Sequence, residues 1–122
     1  MLFRSILPFD PGQTIELGAF SATAFRIGHS IPDAMGICLR TPIGNVIHTG
    51  DFKFDQTPVD GKGTDFHDIA AFGREGVLCL LSDSTRAEFP GYTPSERTVG
   101  EAFREIMEGL DGRVIEIGRA HV

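Results

Sequence analysis

Between Gly36 and His48 the chain reads GICLRTPIGNVIH, two apolar runs parted by Thr41-Pro42-Ile43-Gly44. Proline presets one backbone angle of a tight turn, and glycine takes angles that other residues resist. The spacing therefore predicts two antiparallel strands, 36–40 and 45–48, closed by that turn. This connection brings two polar strand ends together. His29 follows the run FSATAFRI after one glycine, and Asp51 follows NVIH after Thr49-Gly50.

The remaining elements follow from the same signals. TIEL (14–17) comes after the turn Asp10-Pro11-Gly12, and FSATAFRI (20–27) alternates Phe20, Ala22 and Ala24, so both read as strands with Gly18 as the hairpin turn. Residues 56–63 lose the apolar rhythm and read as an exposed loop. A helix is expected over 65–72, where Phe66, Ile69, Ala70 and Phe72 form a stripe that stops at Gly73. GVLCLL (76–81) is a continuous apolar run of strand length, the pattern of a strand buried on both faces. Thr93-Pro94-Ser95-Glu96 has the form of a capping box with proline at the first helical position. The helix it announces would present Val99, Ala102, Phe103, Ile106, Met107 and Leu110, and Asp111-Gly112 would end it before a strand at 113–115.

Composition narrows the class. With 41% hydrophobic and 23% charged residues the chain is far from the disordered range, and 15 glycines and seven prolines between short apolar runs suit a β-rich or α/β unit. No apolar run approaches the roughly 18 residues of a membrane span, and Met1 to Leu7 lacks the apolar centre of a secretory signal, so a cytoplasmic protein is expected. Cys38 and Cys79 each lie inside an apolar run, without a CxxC pair or a histidine at zinc-finger spacing, and read as buried free thiols. A net charge of -6 argues against a nucleic-acid binder that works through a diffuse basic face. It does not exclude a nuclease, because residues that hold divalent cations are themselves acidic.

His29 and Asp51 are the first candidates for chemistry, since a sheet aims the residues at its strand ends, and imidazole and carboxylate both suit zinc. A carboxylate can also bridge two cations. The bland reading stands beside this one: a histidine before Ser-Ile-Pro can simply bond its own turn, and Gly50-Asp51 can be a turn and nothing more. His48 reads as a supporting donor or a satisfied core histidine, and His67 as a solvated residue off the helix stripe. Asp83 ends the apolar run in Leu81-Ser82-Asp83-Ser84-Thr85, which suits either an active-site carboxylate at a strand end or an Asx turn with Ser84 and Thr85. No GxSxG, P-loop or dinucleotide fingerprint is present, so the glycines read as turn formers.

Four words in order and spacing, HSIPDA (29–34), HTGDFKFDQTPVDG (48–61), GVLCLLSDST (76–85) and PGYTPSE (90–96), resemble the ribonuclease J family of the β-CASP branch of the metallo-β-lactamase superfamily. The resemblance covers more than half of the chain. It implies part of a four-layer αβ/βα sandwich, with a partial metallo-β-lactamase domain over 6–82 and the start of the β-CASP region over 83–116. It further implies a 5′-to-3′ exoribonuclease and endoribonuclease of RNA maturation and decay, assembled as a homodimer or homotetramer, with two zinc ions in the full-length site. His29 would then be a ligand of one zinc, Asp51 the carboxylate that bridges both, and Asp83 the acid that helps orient the site, with His48 and Ser84 in supporting or structural places. Two zinc ions would lower the pKa of a shared water, so that hydroxide attacks phosphorus at neutral pH.

The family's HxHxDH motif should precede residue 6 and its last histidine should follow residue 122, so the chain reads as an internal fragment, inactive when isolated. Arg86 stands where the family usually has Asn after SDST. Residues 1–5 and 117–122 resemble read-through of sequencing-adapter DNA and are set aside, which removes His121 as a ligand. Two other readings remain: a glyoxalase II-like hydrolase of the same superfamily, against which SDST and TPSE argue, and a metal-free RNA-binding paralogue.

Overall fold

The computed structural model describes residues 7–115, so the expectations for 1–5 and 117–122 lie outside the described residues. The elements are β1 (Thr14–Leu17), β2 (Phe20–Arg26), β3 (Met35–Thr41), β4 (Gly44–His48), α1 (Phe66–Glu75), β5 (Val77–Leu81) and α2 (Arg97–Glu108). The strands form one mixed sheet in the order β1-β2-β3-β4-β5. Its first three pairings are antiparallel and β5 joins β4 in parallel. Both anticipated hairpins are present: Leu17 pairs with Phe20 across Gly18-Ala19, and Thr41 with Gly44 across Pro42-Ile43.

One face of this α/β sheet carries the core. The register sets Thr23 beside Cys38 and Cys38 beside Ile47, so these side chains share a face with Phe25. Phe25, Ile27, Cys38 and Ile47 are buried there with Phe72 of α1. The Phe25 and Phe72 rings meet at 5.6 Å between centroids, tilted by 58°. Around this patch lies a polar border on the same face. Arg40 grips Glu75 through Nε and Nη2 at 2.8 and 3.0 Å, donates to Thr23 Oγ1 at 2.7 Å, and stacks over the Phe72 ring. Asn45 Nδ2 donates to the same Glu75 carboxylate at 3.3 Å.

Helix α1 starts where its stripe predicts, with the Asp65 carboxylate accepting the Asp68 N–H at 3.1 Å. It runs on through Gly73 to Glu75, since one mid-helix glycine costs only about 1 kcal/mol. Gly76 ends it instead.

The second half departs further from expectation. β5 is not buried on both faces: every one of its residues is exposed, because it forms the edge of the sheet and no described helix covers it. Cys79 is therefore an exposed thiol, whereas Cys38 is buried and desolvation pushes its pKa up. The capping box does not form. Helix α2 begins at Arg97 with Glu96 in the N-cap position, and Glu96 makes no side-chain cap bond: its carboxylate pairs with Lys53, and its N–H, which Thr93 would accept in a capping box, goes to Asp55. The apolar stripe of α2 is exposed throughout, and residues 113–115 form no strand. Among the described residues no helix is long and apolar enough to cross a membrane.

Candidate functional site at the sheet rim

Because β3 runs against both β2 and β4, and β5 runs with β4, the strands β2, β4 and β5 all point the same way. Their C-terminal ends therefore share one rim of the sheet. His29, Asp51 and Asp83 each lie within three residues of one of these ends. The placement follows from topology alone, and it is the arrangement that lets an α/β sheet present loop residues to a ligand.

Short bonds extend the strand pairing into the loops. Thr49 N–H donates to the Leu81 carbonyl at 3.0 Å, and Asp83 N–H to Thr49 Oγ1 at 3.1 Å, so the chain segments bearing Asp51 and Asp83 stay paired beyond their strands. Lys53 N–H donates to the Gly28 carbonyl at 2.6 Å, which ties the Asp51 loop to the residue before His29. Two glycines make these approaches possible. A Cβ on Gly28 would lie 2.7 Å from the Lys53 carbonyl oxygen, and one on Gly50, which has a φ of +66°, would lie 2.9 Å from that of Met35.

Asp51, Asp83 and His48 line one open cleft of about 450 Å³. His29 lines a larger one, of about 720 Å³, whose far wall is α2. The Asp83 carboxyl is held below the usual carboxylate range by the Thr85 hydroxyl and N–H, with smaller help from the Phe52 N–H and from the charge of His29. The Thr85 N–H lies 2.8 Å from Asp83 Oδ1, so the Asx turn weighed for this residue is formed. His29 also makes its bland contact: Nδ1 accepts the Ile31 N–H at 3.3 Å. His48 is exposed and accepts the Gly50 N–H on Nδ1 at 3.0 Å, so it braces the turn into Asp51 and is not a core histidine. Ser84 and His67 are exposed.

The donor types suit zinc, but their arrangement in this segment does not amount to a zinc site. Among the described residues no three His, Cys, Asp or Glu side chains group closely enough to hold a metal ion.

A second cluster was not foreseen. Asp55 accepts Thr57 N–H on Oδ1, and Ser95 Oγ–H and Glu96 N–H on Oδ2, each at 2.9 Å, while Lys53 Nζ meets Glu96 Oε1 at 2.6 Å. The Glu96 N–H is the chief reason that the Asp55 carboxyl is held low. The alternation of charge and aromatic in Phe52-Lys53-Phe54-Asp55 was its only signal, and nothing in it named the partner, about forty residues away. Arg86, standing where Asn is usual after SDST, has a φ of +61°, and Asn enters that left-handed region more readily than Arg.

A mixed α/β sheet that collects imidazole and carboxylate groups at the ends of its like-running strands defines the class of this segment. Its sequence is similar to ribonucleases J. The chain is 56% identical over 116 residues to ribonuclease J 1 of Streptococcus pyogenes, covering 93% of this chain and 20% of that protein. It is 48% identical over 106 residues to ribonuclease J of Thermus thermophilus, covering 86% and 18%. The resemblance carried by the four sequence words is thereby shown, over a stretch that is at most a fifth of those relatives' length. No family model matches the chain. Among solved structures, a protein of unknown function from Enterococcus faecalis shares the fold, with a TM-score of 0.61 at 19% identity over 88% of this chain and 26% of that one.

Proposed function

We propose that this chain is a segment of a zinc-dependent ribonuclease that hydrolyses RNA phosphodiesters, acting from the 5′ end and internally, in RNA maturation and decay. The observation that carries the reading is the shared rim: three residues from separate sequence words of the ribonuclease J resemblance end up at the C-terminal edge of like-running strands. In this proposal His29 and Asp51 contribute to a two-zinc centre whose other ligands come from elsewhere in the whole protein, and Asp83 orients the rim. Residues 6–82 then form part of a metallo-β-lactamase four-layer sandwich, and 83–116 open the β-CASP region. The whole protein works in the cytoplasm as a homodimer or homotetramer.

What this segment supplies is positioning. The Thr49 to Leu81 and Thr49 to Asp83 bonds hold Asp51 and Asp83 on one edge, and the Lys53 to Gly28 bond holds the loop before His29 against them. The test is hydrolysis of a 5′-labelled RNA by the whole protein, with its zinc content measured alongside. Asp51→Asn is expected to lower kcat by at least about a hundredfold and to reduce bound zinc. A protein that binds RNA without cutting it would favour the metal-free scaffold, and unchanged cutting by Asp51→Asn would remove Asp51 from the site.

A further inference from the structure

Resting on the ribonuclease reading, we propose that Asp55 and Lys53 form a polar latch that positions helix α2 as one wall of the substrate cleft, so that they govern RNA binding without touching the reacting groups. The cleft of about 720 Å³ is lined by His29, Lys53 and Asp55 on the sheet side and by Glu96, Arg97 and Arg104 on the helix side. What joins the two sides is polar. Among the described residues Val99, Phe103 and Ile106 of α2 remain exposed, so within this segment burial of an apolar face does not hold the helix in place.

The latch is specific in its atoms. Both oxygens of Asp55 are used, Oδ1 by Thr57 N–H and Oδ2 by Ser95 Oγ–H and Glu96 N–H. Only a carboxylate presents acceptors on both sides. An asparagine would turn an NH₂ group toward at least one of these donors. Thr57 Oγ1 donates to Ser95 Oγ at 3.0 Å, leaving the single Ser95 hydroxyl proton for Asp55 Oδ2 at 2.9 Å or the Thr57 carbonyl at 3.0 Å. Lys53 adds a charge-assisted bond to Glu96, and its ammonium is mostly shielded, with the side chain 16% exposed. Its backbone N–H at the same time ties Gly28, so Lys53 joins the rim loops and the helix at one residue.

Asp51 is anchored separately, through the bonds of Thr49 to β5 and the close seating of Gly50 on Met35. Loss of the latch should therefore move the cleft wall and leave the rim in place. That separates the latch from a general stability role, which would lower the active fraction and leave KM alone.

The experiment uses the whole protein and a 5′-labelled RNA, with kcat, KM, RNA affinity and thermal midpoint measured for wild type, Asp51→Asn, Asp55→Asn, Ser95→Ala and Ser95→Thr. Asp55→Asn and Ser95→Ala are expected to raise KM about tenfold, the scale of one charge-assisted hydrogen bond, with kcat held within about threefold. Ser95→Thr keeps the hydroxyl and should restore KM. An unchanged KM in a folded Asp55→Asn protein, with wild type active and Asp51→Asn inactive, overturns the latch and leaves the ribonuclease reading standing. Where wild type binds RNA without cutting it, the ribonuclease reading fails, and the same variants report the latch through Kd: a tenfold loss supports it and none overturns it. A wild type that neither cuts nor binds RNA ends both.

Discussion

The half of the molecule built from β2, β3, β4 and α1 and the half built from β5 and α2 have similar apolar patterning and opposite fates. In the first, Phe25 is 1% exposed and sits among Ile27, Cys38, Ile47 and Phe72. In the second, Leu80 is 59% exposed and Ile106 60%. The difference lies in where the partner is. Hairpins β1–β2 and β3–β4 find their partners within a short span of chain, so periodicity and turn chemistry suffice to place them. Helix α1 forms on its own stripe although it packs on residues far back in the chain, Glu75 meeting Arg40, 35 residues away. An apolar strand or stripe shows that a residue needs cover, but not what covers it. For β5 and α2 the cover is not among the described residues.

The sharpest test of that contrast is Phe25→Ala. The ring fills the centre of the packed face against Phe72, so its removal should cost about 3–5 kcal/mol in urea unfolding of the chain. A loss below about 1 kcal/mol would mean that the packed half is no better packed than the open one.

A smaller effect is expected at the border of the core. Glu75 is held below its ordinary pKa chiefly by the Arg40 hydrogen bonds, with help from Arg40's charge and Asn45. A carboxylate with a depressed folded pKa contributes stability that is fully present above the unfolded value, about 4.3, and is lost as pH falls through the folded one. Acid titration of the unfolding midpoint should thus fall off below about pH 4, and Glu75→Gln should flatten part of that slope. Because Glu75 and Arg40 are partly solvated, the effect should stay below that of Phe25→Ala.

How much was legible follows the same division. The turn at Pro42-Ile43, the strand flanks and α1 were readable because each rests on local chemistry, and the shared rim of His29, Asp51 and Asp83 follows once strand directions are known. The parallel partnership of β4 and β5 was not readable, since a crossover leaves no mark at the residues it joins. TPSE announces a helix that does form, but not how it is capped, for a related reason. Its local signature is that of a capping box, but the Asp55 carboxylate, about forty residues earlier in the chain, engages Ser95 and the Glu96 N–H, and the helix starts one residue past the Glu. Asp83 shows the opposite case, in which the local Asx turn and the place on the rim coexist, so the functional and bland readings were never exclusive.

The smallest expected effect bears most directly on the open half. Leu80→Ser and Ile106→Ser remove apolar surface that already faces water, so each should change the stability of this chain by no more than about 0.5 kcal/mol while reducing self-association. Chemical unfolding and light scattering on the same samples read both quantities. A cost above about 2 kcal/mol at Leu80 would be the signature of a buried side chain. It would place β5 back inside a layered sheet, as its unbroken run of apolar residues first suggested. The same pair of substitutions in the whole protein carries the comparison one step further. Where residues beyond this segment cover β5 and α2, the loss rises to the 2–5 kcal/mol of a core leucine or isoleucine, and the two halves of the molecule become alike.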